Sequence, residues 1–315
     1  MRLAIEAATL PAVHRAAFDA NIPLLLDLLH AGADSNEPGC VRDECDGWNT
    51  NPGPSYVATP LMLAAASSNP KAAEGVRILL QAGGNPELLS TRGDSALWFA
   101  TAAGNTRGMR ALLDAGACPD LPCANGITPI CEAAAARNLN GVSLLLHFGA
   151  LPHPVAINEA EEPVEPAYSF RIPLFAAATG GSAACVQLLL SAGARAAALD
   201  IYGANALMHA CTAEVVHALL AAGCPRDVRD VFSRSAIDYA VENGHRDVLF
   251  ALVDAGLDVN GRDPSGRTPL LRYCSSLDIR AEMVRALIEA GADVHATWFQ
   301  GRCALHEAVQ LFGGD

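Results

Sequence analysis

Thr59-Pro60-Leu61-Met62-Leu63-Ala64-Ala65 is one copy of a short motif that returns along the whole chain. It recurs as Ser95-Ala96-Leu97-Trp98-Phe99-Ala100, Thr128-Pro129-Ile130-Cys131-Glu132-Ala133-Ala134 and Ile172-Pro173-Leu174-Phe175-Ala176-Ala177. Further copies are Asn205-Ala206-Leu207-Met208-His209-Ala210, Ser235-Ala236-Ile237-Asp238-Tyr239-Ala240, Thr268-Pro269-Leu270-Leu271-Arg272-Tyr273 and Cys303-Ala304-Leu305-His306-Glu307-Ala308. A degenerate first copy is Pro11-Ala12-Val13-His14-Arg15-Ala16-Ala17. The starts at 11, 59, 95, 128, 172, 205, 235, 268 and 303 are separated by 48, 36, 33, 44, 33, 30, 33 and 35 residues. A fixed period of this size marks a stack of small repeated units rather than one globular core.

A second motif keeps step with the first. Leu28-Leu29-His30-Ala31-Gly32, Leu112-Leu113-Asp114-Ala115-Gly116, Leu189-Leu190-Ser191-Ala192-Gly193 and Leu287-Ile288-Glu289-Ala290-Gly291 each end an apolar helical run on glycine. The residue chemistry fits a helix pair. Pro60, Pro129, Pro173 and Pro269 suit a first helical turn, where the missing N–H has no partner to lose. Thr59, Thr128 and Thr268 suit N-cap positions, and the alanine pairs allow close helix approach. The recurring glycine suits a left-handed cap at the end of the second helix. A loop follows, with another glycine near its tip in most copies: Gly93, Gly126, Gly203, Gly266 and Gly301.

With two linked motifs held at one period over nine copies, the sequence resembles the ankyrin-repeat family along nearly its whole length. The resemblance implies an all-α solenoid of stacked helix-turn-helix units with hairpin-like finger loops, forming a single array over residues 1–315. It also implies a role: ankyrin arrays usually bind protein partners on a concave face made of finger tips and first-helix surface. The motif histidine of the family bridges local loop and helix groups. His14 and His306 stand at that position and are read as structural.

Composition narrows the possibilities. Of 315 residues 51% are hydrophobic, which excludes a mostly disordered chain. The formal net charge is −13 and Lys71 is the single lysine, so a nucleic-acid or anionic-membrane surface is not expected. No apolar run approaches the roughly 18 residues that a spanning helix needs. Met1-Arg2-Leu3-Ala4-Ile5-Glu6 lacks a signal-peptide pattern. The 10 cysteines are scattered, several within apolar helical runs, which suggests reduced thiols and a cytoplasmic location, with the nucleus as the alternative.

The irregular steps mark departures from the period. Loop insertions are expected at 37–58, with Cys40, Cys45 and Trp48, and at 154–171, with Glu159, Glu161, Glu162 and Glu165. The 30-residue step from Asn205 predicts a tighter turn between its helices near Cys211–Glu214. The last copy stops at Asp315, short of a second helix, which predicts an uncapped end open to self-association or partner docking.

The motifs of catalysis are missing: no glycine-rich phosphate loop, nucleophile elbow or paired-histidine zinc helix occurs. Cys40/Cys45 and Cys118/Cys123 offer only pairs where zinc needs about four ligands. No cofactor or metal is therefore expected. The function expected is a non-catalytic protein-interaction scaffold or adaptor. A substrate-recognition subunit of a larger assembly, such as a ubiquitin ligase, is the alternative, although no adaptor-docking box follows Leu305. A third option is an enzyme or metal site in the insertions. Large aromatics at finger tips, where polar residues are usual, are candidate partner anchors: Tyr202, Phe232, Trp298 and Phe299, with Arg234, Arg267 and Arg302 for acidic groups. Trp98, at the histidine position of its copy, is read as core.

Overall fold

A computed structural model describes residues 11–41, 56–153, 171–276 and 279–307. These fall into two compact units, 1–156 and 157–315. In the first unit the helices come in consecutive pairs: α1 (Ala12–Phe18) with α2 (Ile22–His30), α3 (Pro60–Ala66) with α4 (Ala72–Gln81), α5 (Ala96–Ala102) with α6 (Thr106–Asp114), and α7 (Pro129–Ala135) with α8 (Leu139–His147). The first helices α1, α3, α5 and α7 contact one another in sequence order, and α2, α4, α6 and α8 form a second layer. The second unit holds α9 (Pro173–Gly180) with α10 (Ala183–Ser191), α11 (Ala213–Ala221), α12 (Ala236–Glu242) with α13 (Arg246–Asp254), and α14 (Pro269–Cys274) with α15 (Ala281–Glu289). Here α10, α11, α13 and α15 make the second layer and α12 packs on α14.

The core is the leucine rows and alanine pairs of the two motifs. Leu61, Leu63, Leu79, Leu97, Leu112 and Leu145 are fully buried. Each such side chain contributes roughly 1.5–3 kcal/mol on leaving water. A six- or seven-residue helix such as α3 would not persist alone, so contact between copies is what holds it.

The helix starts follow the sequence reading with one exception. Thr59 accepts from the Met62 amide and Thr268 from the Leu271 amide, each at 3.4 Å, and the four prolines stand in first turns. Thr128 makes no such bond. Its hydroxyl instead donates to the Cys131 thiol at 3.2 Å. The second helices carry caps of their own: Asn21, Asn105, Asn138, Ser182 and Thr212 accept first-turn amides.

The glycine that ends each second helix is left-handed, as Gly83 shows at φ +89°. Nothing lies within 4 Å of a Cβ built there, so conformation rather than space selects glycine. Loops then fold back as hairpins. β1 (Gly39–Val41) pairs antiparallel with β2 (Tyr56–Ala58), and single bridges join Leu89 to Ser95, Leu199 to Asn205 and Thr297 to Cys303. The first insertion therefore leaves and re-enters through β1 and β2; Cys45 and Trp48 lie outside the described residues, as does nearly all of the insertion at 154–171. His14 is fully buried, with Nε2 3.2 Å from the Ala58 carbonyl, the bridging role expected of it. A side chain at Gly39 would collide with that imidazole at 2.5 Å.

The copy beginning at Asn205 differs more than its spacing predicts. The tighter turn is not confined to Cys211–Glu214; residues 206–209 form turns instead of an α-helix. The Met208, His209 and Ala210 amides donate three residues back, to Asn205, Ala206 and Leu207. The three missing residues are taken out of the helix itself, which tightens to the i→i+3 pattern.

Candidate functional site

The fingers of the second unit begin with an acidic residue five positions before the motif: Asp200, Asp230 and Asp263. Aspartate favours such turns because its carboxylate accepts amides two residues on. Asp200 Oδ1 accepts from Tyr202 and Ala204 at 2.8 and 2.9 Å. Asp230 Oδ1 accepts from Phe232 and Arg234 at 2.9 and 2.7 Å, and Asp263 Oδ1 from Ser265 and Arg267, both at 2.9 Å.

The second carboxylate oxygen reaches the fifth motif position of the same copy. His209 Nε2 lies 3.3 Å from Asp200 Oδ2, the Tyr239 hydroxyl donates to Asp230 Oδ2 at 3.0 Å, and Arg272 Nη2 donates to Asp263 Oδ2 at 2.6 Å. In the last copy the roles reverse: Trp298 Nε1, at the finger position, donates to Glu307 Oε1 at 3.0 Å. Every finger of the second unit that is described is thus tied to its own inner segment across a nine-residue spacing.

Buried carboxylates demand such partners. The Asp230 side chain is fully enclosed and those of Asp238 and Asp263 are 3% exposed. Burial pushes the Asp230 carboxyl up, but hydrogen bonds and charge from Arg234, with the Tyr239 hydroxyl, outweigh it and hold it below the usual range. Asp263 is held down in the same way by Ser265, Arg267 and Arg272. His209 is lowered by burial, opposed by Asp200. Its ring stacks on Phe175 at 5.2 Å and meets Tyr239 edge-on at 5.8 Å. Burial raises Tyr239, and Glu242 beside Arg234 is raised for the same reason.

Above this base the tips that follow Asp200 and Asp230 are apolar and exposed. Phe232 is 58% exposed, Val231 65%, Ile201 44% and Tyr202 37%. The Tyr202 and Phe232 rings are 6.2 Å apart, and the Val231 amide donates to the Tyr202 carbonyl at 2.8 Å. The Arg234 guanidinium lies 5.2 Å from the Phe232 ring centroid and 4.4 Å from that of Tyr239. Ser233 stands where other fingers carry glycine and has φ +62°. Its carbonyl is held by Arg229 at 2.9 Å and Arg272 at 3.3 Å, contacts that fix a conformation serine resists.

The predicted residues divide into two groups. Tyr202, Phe232 and Phe299, the last 66% exposed, are surface rings. Arg234 pairs with Asp230 and Glu242, Arg267 with Asp263, and Arg302 with Glu307 at 2.9 Å. Trp298 is half-buried, with the Arg267 guanidinium 5.3 Å from its ring. These four hold the fingers from within. Ala204, two residues after Tyr202, is fully buried. Trp98 is half-buried and packs edge-on to Phe99 at 5.7 Å. His209, Tyr239, Arg272 and the finger aspartates were not selected from sequence. Their signal was available as polar residues recurring at one motif position and nine residues before it.

Among the described residues no group of three or more His, Cys, Asp or Glu could hold a metal. The nine described cysteines are free; burial raises Cys131 to about 12 and Cys224 to about 11. No described helix is long and apolar enough to cross a membrane.

A family model described as ankyrin repeats matches residues 61–155, 212–298 and 237–314. The chain belongs to the ankyrin-repeat family, whose repeats imply protein–protein interaction and which is generally non-enzymatic. It is 33% identical over 131 residues to the mouse B-cell lymphoma 3 protein homolog, covering 39% of this chain and 29% of that protein. It is 35% identical over 112 residues to human ankyrin repeat and SOCS box protein 6, covering 32% and 27%. An E3 ubiquitin-protein ligase, KEG of Arabidopsis thaliana, matches at 31% over 137 residues, covering 42% and 8%. The matches thus span under a third of each relative. Among solved structures the ankyrin repeat domain of human ASB11 superposes with TM-score 0.60 at 23% identity, covering 75% of this chain and 99% of that one. The Bcl-3 ankyrin domain gives 0.55 at 24%, covering 77% and 97%. Both likenesses concern the fold.

Proposed function

We propose that the chain is a non-catalytic protein-interaction scaffold or adaptor, working in the cytoplasm or nucleus, whose partner docks on the fingers and inner segments of the second unit. Tyr202, Phe232 and Phe299 serve as anchors. Arg234, Arg267, Arg302 and Trp298 act mainly by holding the fingers that carry them, because their charges and donors are already matched internally. The observation that carries this reading is the Tyr202–Phe232 pair, two large rings exposed to solvent on a backbone locked by Asp200, Asp230 and the inter-finger hydrogen bond. Rigid exposed rings cost little ordering on binding.

A second reading makes the chain the substrate-recognition part of a larger assembly. It is favoured by relatives named for a SOCS box and for E3 ubiquitin ligase activity. Both readings use the same surface and differ in what else is bound.

The test is a Tyr202→Ala/Phe232→Ala double variant. Proteins captured by wild type from the source organism are identified, and the affinity of a purified partner is measured for both forms. A loss of roughly 30-fold or more with unchanged helical circular dichroism is expected. Equal affinity overturns the proposed face, and a collapse of the melting transition shows the rings to be structural.

A further inference from the structure

Away from the finger tips, the second unit opens on one apolar face. Its last two copies are in step at 35 residues, the distance from Thr268 to Cys303. In the earlier register Leu249, Val259 and Leu270 are buried and Val253 is half-buried. Thirty-five residues on, the same four places hold Val284, Val294, Leu305 and Ile288, all still apolar. Val284 is half-buried, Val294 is 40% exposed, Ile288 46% and Leu305 71%. Scattered apolar residues on a surface need no explanation, but four that fall at core positions of the repeat mark a contact surface.

The repeat says what shape covers it. Helices α11, α13 and α15 pack in order in the second layer, and these four residues continue that packing surface beyond α15. In register, the place beside them belongs to the second helix of the last copy. α15 starts 13 residues after its own motif, at Ala281, whereas only eight residues follow Glu307. The helices of this layer share one pattern: Val215-Val216-His217-Ala218-Leu219, Val248-Leu249-Phe250-Ala251-Leu252 and Met283-Val284-Arg285-Ala286-Leu287. Two apolar residues, a spacer, an alanine and a leucine make a narrow apolar stripe, and the alanine permits close approach. A second copy of this chain fits less well. Its end helix α2 comes packed on α1, and α1 would meet residues 303–307, whose Glu307 already stands near enough to α14 for its charge to raise the Cys274 thiol.

We propose that this face binds one amphipathic helix of a protein partner, seated as the second helix of the last copy. A helix laid in an apolar groove is read through residues three and four apart. Here its alanine and leucine stripe meets Val284, Ile288 and Leu305, separately from the finger rings.

The test titrates the full chain into a fluorescein-labelled peptide of residues 246–257, followed by fluorescence anisotropy. A hydrocarbon staple replacing Phe250 and Asp254 keeps the peptide helical, as circular dichroism verifies. Saturable binding is expected, with affinity at least tenfold lower for the Ile288→Asp/Leu305→Asp chain and for a peptide carrying Val248→Asp and Leu252→Asp. Both chain positions are exposed, so the double variant should keep the wild-type melting midpoint; Ile288→Ala/Leu305→Ala serves in its place if it does not. Tyr202→Ala/Phe232→Ala should bind the peptide as wild type does, which separates this face from the finger face. Absence of saturable binding, equal binding by the aspartate chain, or loss of binding in the finger variant overturns the proposal. Concentration-dependent sedimentation of the wild type that Ile288→Asp/Leu305→Asp abolishes would make a second copy the occupant and overturn it too.

Discussion

The two units use the same repeat yet solve its inner face differently. In the first, the fifth motif position holds exposed Arg15, then Leu63 and Phe99, both buried, and then Glu132; Tyr56 stacks on Phe99 at 6.0 Å. Its fingers start with Ser90 and Cys123 and carry small or polar tips, Thr91-Arg92 and Ala124-Asn125. In the second, that position holds buried Ala176 in the first copy and then His209, Tyr239, Arg272 and Glu307, each of these four tied by a polar contact to the base of its finger. Apolar contact is tolerant of small shifts, whereas buried charge requires fixed geometry. The polar solution underlies the fingers that expose Tyr202, Phe232 and Phe299, and also the Asp263 finger, whose tip is Pro264-Ser265.

Arg272→Ala is the strongest way to break this comparison. It removes the nearer guanidinium from Asp263 and Asp238, leaving them only the longer contacts to Arg267 at 3.4 Å and Arg229 at 3.9 Å, and takes the Arg272 donor from the Phe232 and Ser233 carbonyls. A loss of about 3–5 kcal/mol is expected in urea denaturation, with faster hydrogen exchange at residues 230–234. A loss below about 1 kcal/mol would show that the ion pairs are incidental to the fold.

Acid should separate the units next. His209, lowered by burial, stays neutral in the fold while the unfolded chain takes up protons below about 6.5, so stability falls as pH drops through that value. His14 in the first unit acts in the same sense. Asp230 and Asp263 add a second loss confined to the second unit: their stabilisation is complete above 3.8 and disappears as pH falls through their depressed values. Glu242, raised by burial, acts oppositely. His209→Gln should flatten part of the decline in urea midpoint between pH 7 and 5. An unchanged slope would remove His209 from the explanation.

The smallest effect concerns the strained tip. Ser233→Gly should stabilise the chain by about 0.5–1 kcal/mol, since glycine adopts φ +62° without strain. A destabilised variant would mean that the serine side chain contributes more than its backbone loses.

How much of this was legible beforehand depends on the range of the interaction. Proline in first turns and glycine at helix ends act through neighbours a few residues away, so spacing alone reveals them. The copy at Asn205 was legible only in part: three missing residues showed in the period, but whether helix or turn gave way depended on packing. The exposed rings at Tyr202 and Phe232 could be placed at tips by counting. The fate of Arg234, Arg267 and Arg302 could not, because a guanidinium in a turn pairs with whichever carboxylate the fold delivers.

The linear chain by itself determined the repeat, its helix pairs and its family, because those follow from local conformational preference and a regular apolar pattern. Only three-dimensional packing decided which polar groups are spent internally and which surfaces remain. Arg246, Arg280 and Arg285 are up to 39 positions apart in an acidic chain and share a cleft only once α13 lies beside α15. Charge acts through space, and distance along the sequence says little about distance in the fold.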